Sequence, residues 1–297
     1  MYSEFKTYLI LFCGVFALST SAVFVKIAQA PSAVTAFYRL LIAAAVLAPL
    51  FLLRPQCRSE LRTIRMGQWS QMIWAGVLLA LHYVLWFESL NFTSVASSTV
   101  LVSLQPLFSL ALERFVSKKK VKRTALAGCG IALCGCVVIG LGDFQIDGQS
   151  LLGDILAFMA AGVISLYFFV GEKARRDLSA VTYSALSYFF SAVILLAYAV
   201  VQRQPLWGYT RQTWLAFIGL ALISTIGGQF VFNFLLKRLP ASAVTMSILG
   251  EPIGTCILAG LILHEVVMLQ QLTGILVIML GMAVFFFSPS RSRAAGH

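Results

Sequence analysis

Lys26 and Ser32-Ala33-Val34-Thr35 return 147 residues later as Lys173 and Ser179-Ala180-Val181-Thr182. At a shift of 146, Gln105-Pro106 falls on Glu251-Pro252, Thr99 on Thr245, Gly128 on Gly274 and Gly135 on Gly281. The chain reads as a duplication whose units divide at 1–146 and 147–297. Long apolar runs lie between the matched positions. Crossing a bilayer takes roughly 17 to 25 mostly apolar residues. Ten segments qualify: 7–25, 33–53, 71–90, 94–116, 124–142, 152–170, 180–201, 213–235, 241–263 and 266–287. Each unit thus holds five spans, and an odd number makes the second unit enter the membrane from the opposite side. Inverted units of this kind recur in secondary transporters, with the working site at their interface.

Composition agrees with this reading. The 297 residues are 60% apolar and 11% charged, against about 25% charged in soluble domains, which excludes a water-soluble enzyme. The net charge of +11 does not mark a nucleic-acid binder, because the basic residues cluster between apolar runs instead of on one solvated face. They mark topology: 17 Lys and Arg fall on the side of the N-terminus and 3 on the other. Since basic residues are retained in the cytoplasm, both termini are expected there, in a multi-pass protein of the inner (plasma) membrane. The first segment is followed almost at once by a second long apolar segment and reads as a retained span in preference to a signal peptide. Cys13, Cys129, Cys134, Cys136 and Cys256 sit inside apolar runs and Cys57 in an Arg-rich loop, so reduced packing thiols are expected. Connections are short, leaving no separate soluble domain. The expected partners are the lipid bilayer and a small-molecule substrate, with no nucleic acid and a monomer or weak dimer as the assembly.

Polar groups at depth are costly and point to function. Glu251 lies about ten residues into its span, near the midplane at 1.5 Å per residue, and precedes Pro252, which opens the helix. Gln105-Pro106 is the counterpart in the other unit. These two pairs are the leading candidates for a central cavity, with Pro106 and Pro252 as helix kinks. The structural alternative for Glu251 is a buried neutral carboxyl held by a nearby Ser or Thr. His82 and Trp86 share a helix face at i, i+4 and suit a cation, an aromatic ring or a proton; Tyr83, about 100° round, is a weaker lining candidate. Gly228 and Gln229 are the counterparts of His82 and Tyr83, with Gly228 leaving space and Gln229 facing it. Ser19-Thr20-Ser21, Ser165 and Tyr167 are midspan hydroxyls, and such hydroxyls most often bond back to their own helix. Arg39 and Glu88 are shallower and are expected to form a structural or gating ion pair, while Glu113 and Arg114 snorkel toward the Lys118 cluster as anchors.

Ala36-Phe37-Tyr38-Arg39, the run from Trp86-Phe87-Glu88-Ser89-Leu90 to Gln105-Pro106, and Glu251-Pro252 followed by His264-Glu265 carry a family likeness. In order and spacing the chain resembles the drug/metabolite transporter superfamily, in its ten-helix EamA-like exporter branch, over essentially its whole length. The resemblance implies an all-α membrane fold of two inverted five-helix repeats, alternating access, and export of amino acids, related metabolites or toxic organic compounds. Lys119 stands where the repeat-equivalent of Glu265 would be, so no shared role is carried over to that Glu.

Intramembrane enzymes are the rival class. Gly140-Leu141-Gly142-Asp143 spells a GxGD protease motif, but no Tyr-Asp dipeptide supplies a second aspartate. His264-Glu265-Val266-Val267-Met268 has Met where a zincin needs its second His. No Walker loop or Gly-x-Ser-x-Gly elbow is present, so no catalytic residue, metal, cofactor or ATP is expected. The expected substrate cavity comprises His82, Trp86, Gln105, Tyr167, Gln229 and Glu251, with protons as the candidate coupling ion. Proton-coupled efflux of organic cations and a non-transport scaffold remain as alternatives.

Overall fold

The computed structural model describes residues 2–93, 95–140, 148–262 and 269–286, and every regular element among them is helical. Hydrocarbon offers backbone groups no outside partner, so a spanning segment must satisfy its own hydrogen bonds. The first unit contains α1 (Tyr2–Ala28), α2 (Ser32–Leu53), a short α3 (Pro55–Thr63), α4 (Met66–Phe92), α5 (Val95–Val102), α6 (Gln105–Phe115) and α7 (Arg123–Gly140). The second contains α8 (Gly148–Ala174), α9 (Ala180–Val201), α10 (Arg211–Gly219), a π-helical stretch (Leu220–Gln229), α11 (Phe230–Leu235), α12 (Ala241–Ile248), α13 (Glu251–Ile262) and α14 (Leu269–Phe286). Six stretches are long and apolar enough to cross a membrane: Lys6–Ala28, Ser32–Leu53, Met66–Phe92, Gln149–Ala174, Ala180–Val201 and Arg211–Leu235. Arg123–Val138 and Leu272–Phe286 are shorter apolar helices. The GxGD aspartate Asp143 and the pair His264-Glu265 lie outside the described residues.

Segments 94–116 and 241–263 are not single helices. α5 stops at Val102 and α6 starts at Gln105; α12 stops at Ile248 and α13 starts at Glu251. Pro106 and Pro252 take the second position of the restarted helices, where a missing N–H costs nothing. The expected kinks are therefore full breaks at matching positions.

The duplication is visible in the packing. α4 lies along α8, and reciprocally the π-helical stretch with α10 lies along α1; α2 meets α9, and α7 meets α14. The α7–α14 contact is antiparallel, since Gly128 approaches Gly281 and Phe285 while Gly135 approaches Gly274 and Ile278. A Cβ on Gly281 would sit 2.3 Å from the Ala132 amide nitrogen, so the crossing needs glycine, as small-residue contacts between apolar helices commonly do. Large apolar side chains such as Phe12, Leu53, Phe115 and Leu261 are exposed on the outside, whereas many Ser and Thr residues are fully buried. That polarity is the reverse of a soluble protein and marks a surface made for lipid. Cys13, Cys57, Cys129, Cys134 and Cys136 are free thiols.

Acidic side chains secure the starts of two second-unit helices, where orphan N–H groups and the helix dipole favour negative charge. Glu60 of α3 accepts from the Ser179 amide at 3.1 Å and from Thr182 Oγ1 at 2.5 Å, at the start of α9. Glu172 accepts from the Ala241 amide at 2.9 Å and pairs with Lys119 at 2.9 Å. Glu113 accepts from the Ser242 amide at 3.2 Å and is buried. It does not snorkel to the Lys118 cluster as expected, because an uncapped α12 offers a partner nearer than water.

Candidate functional site

Both helix breaks open onto one small internal cavity. Gln105 and Glu251, the first residues of α6 and α13, line it together with His82 and Trp86 of α4, Gln229 at the end of the π-helical stretch, and Arg39 of α2. Its volume is about 20 Å³, room for about one water molecule. The polar side chains that line it are all buried.

A repeat-related pair of hydrogen bonds ties each break to the other unit's first helix. Ser19 of α1 donates to the Glu251 carbonyl at 3.1 Å, and Ser165 of α8 donates to the Gln105 carbonyl at 2.8 Å. Each also bonds back one turn, to Val15 and Ala161, as midspan serines were expected to do. The shift of 146 thus relates donors as well as acceptors.

Arg39 departs most from expectation. Its guanidinium is fully buried: Nε donates to Thr225 Oγ1 and Nη1 to Ser21 Oγ, each at 2.7 Å, with Cζ lying 4.5 Å from the Tyr83 ring centroid. It does not pair with Glu88. That carboxylate accepts from Asn91 on its own helix at 3.0 Å, near the helix end, where little desolvation is required. The Thr225 hydroxyl that receives Arg39 belongs to the π-helical stretch and donates to the Leu220 carbonyl five residues back at 2.9 Å. Wide turns of this kind often occur at functional sites.

His82 Nδ1 donates to the Ala160 carbonyl at 3.0 Å, leaving Nε2 as the acceptor of the neutral ring. Its ring stacks on Trp86 at 5.8 Å. Tyr83 lines the cavity as well, despite its expected offset from His82. Tyr167 does not. The α8 residues at the cavity are Ile164 and Phe168, one turn apart, and Tyr167 is rotated about 100° from Phe168 toward α9 and α11. There its hydroxyl accepts from Asn233 at 2.7 Å, and Asn233 also donates to Ser184 at 3.0 Å. Nor does Gly228 leave open space: α1 fills it, with the Leu18 amide nitrogen 3.1 Å from a notional Cβ.

Five of the six residues expected at the cavity, His82, Trp86, Gln105, Gln229 and Glu251, line it, and Arg39 joins them, where depth alone suggested an outer partner.

Among the described residues, ten buried side-chain polar atoms have no hydrogen-bond partner, and five lie on this cavity's lining. They are Arg39 Nη2, Trp86 Nε1, Gln105 Oε1, Gln229 Nε2 and Glu251 Oε1. Unpaired buried polar atoms are expensive, and such a concentration requires an explanation.

A solved crystal structure shares this fold with a TM-score of 0.77 at 19% identity, over 94% of this chain and 96% of its own. An uncharacterized transporter of Clostridium kluyveri is 24% identical over 69% of this chain and 67% of its length. A Salmonella typhimurium protein named "Probable amino-acid metabolite efflux pump" is 27% identical over 64% of this chain and 67% of its length. The profile of the EamA-like transporter family matches residues 5–141 and again residues 151–287. Two copies of one unit, meeting at a cavity that both line with a broken helix, are thus accounted for by descent: the chain belongs to the EamA-like transporter family of multi-pass membrane proteins.

Proposed function

We propose that the protein is an inner-membrane secondary transporter that exports amino acids or related small metabolites by alternating access. In this reading ten spans form two inverted five-helix repeats, 1–146 and 147–297, with both termini cytoplasmic. The observation that carries it is the small cavity between the repeats, bounded by two matching helix breaks and lined by five residues with an unpaired polar atom. A volume near that of one water suits a carrier whose halves must rock apart to admit substrate. The Salmonella relative named for amino-acid metabolites supports the substrate class. Arg39 at the cavity wall counts against organic cations, which it repels.

The test is uptake into proteoliposomes of a mixed amino-acid and organic-cation panel, with and without an imposed pH gradient. Saturable amino-acid movement is expected, and its response to the gradient separates proton antiport from facilitated diffusion. Cation movement that strictly requires the gradient would replace this reading with drug efflux.

A further inference from the structure

The unpaired atoms in the cavity form a pattern with a chemical meaning. Three are donors, Arg39 Nη2, Trp86 Nε1 and Gln229 Nε2; two are acceptors, Gln105 Oε1 and Glu251 Oε1. One water, with two protons and two lone pairs, cannot satisfy all five. The charged members set the sense of the site, one permanently cationic guanidinium and one carboxyl group, and either glutamine amide can turn to suit. Arg39 is held ready for an anion. Thr225 and Ser21 take Nε and Nη1, which locks the planar fork and leaves Nη2 free. A buried guanidinium with one arm unpaired suits a carboxylate or a phosphate, and the Glu251 carboxyl on the same lining disfavours the more highly charged phosphate.

We propose that Arg39 is the carboxylate-binding residue of the transport site and that Glu251 receives the substrate's ammonium, so that the cavity selects molecules carrying both groups. This rests on the export reading above and narrows it to zwitterionic amino acids. Neither repeat alone can make the clamp. Glu251 has Gln105 as its counterpart, and the position 147 residues beyond Arg39 is Leu186. The two charges therefore come from different units, and rocking of the halves changes the distance between them. An amine lacking the carboxylate leaves Nη2 unpaired and faces its positive charge. An N-acetylated acid loses the charge that Glu251 receives.

The experiment measures proteoliposome uptake of the common L-amino acids, each beside its decarboxylated amine and its N-acetyl derivative. For any amino acid that moves, both derivatives are expected to fall by about 30-fold or more, the scale of removing one partner from a buried charge pair. In Arg39→Gln the ratio of amino acid to amine is expected to collapse toward unity, a change that loss of folded protein alone does not produce. If that variant does not fold, the wild-type series still decides. An amine transported as well as its parent amino acid would overturn the clamp while leaving the export reading standing. No movement of any amino acid or derivative would overturn both.

Discussion

At the scale of single residues, several buried or half-buried acidic groups sit where a helix start or a cavity receives them. Glu60 shows the first case. Burial raises its pKa, but hydrogen bonds from Thr182, Ser179 and Gln56 outweigh burial and hold the carboxyl below its ordinary value. A carboxylate with a depressed folded pKa contributes stability at pH values above its unfolded pKa, and this is lost as pH falls through the folded one. Glu60→Gln is therefore expected to lower the melting temperature at neutral pH, with the difference from wild type starting to shrink as pH falls toward about 4.3 and gone only below the depressed folded pKa. Thermal unfolding in nanodiscs across pH checks this, and a difference that persists in acid would leave α9 held by something other than the charge. Glu251 is the second case. Glu251→Gln keeps the volume and removes the titratable group, so uptake driven by a pH gradient should drop to the level of empty liposomes with the protein still monodisperse. Full gradient-driven uptake would reduce Glu251 to a packing residue.

At the scale of elements, the two broken helices and the glycine crossing carry the design. A proline near the middle of a span forces a break, and the serine of the opposite unit's first helix ties each break in place. The α7–α14 contact depends on close backbone approach, so adding one methyl at its tightest point meets backbone that cannot turn aside. Gly281→Ala is expected to cost about 1 to 3 kcal/mol, as overpacking does, and to lower the melting temperature. Gly130→Ala on α7, where nothing lies within 4 Å of the added carbon, should leave it unchanged.

At the scale of the whole molecule, reciprocal packing of two like units gives a bundle whose halves meet at the polar cavity. Single cysteines introduced into a cysteine-free background test the proposed orientation. A cysteine at Arg58 should react only with reagents that reach the cytoplasm, and labelling from the periplasmic side would invert the topology.

What the sequence determined by itself was an all-helical membrane protein of two like units, because hydropathy and the 146- to 147-residue shift are properties of the chain read in order. Where the helices are interrupted, at Gln105 and Glu251, was legible too, since proline acts on its own helix; that the expected kinks are full breaks was not. Rotation about a helix axis was not: it separates Tyr167 from Phe168 and follows from which neighbouring helices the face meets. The partner of Arg39 was equally out of reach, because Ser21 and Thr225 lie 18 and 186 residues away. Only tertiary packing decides which hydroxyls a long buried side chain finds. The small, partly unsatisfied cavity is likewise a property of helices brought together, since an unpaired atom is defined by what surrounds it.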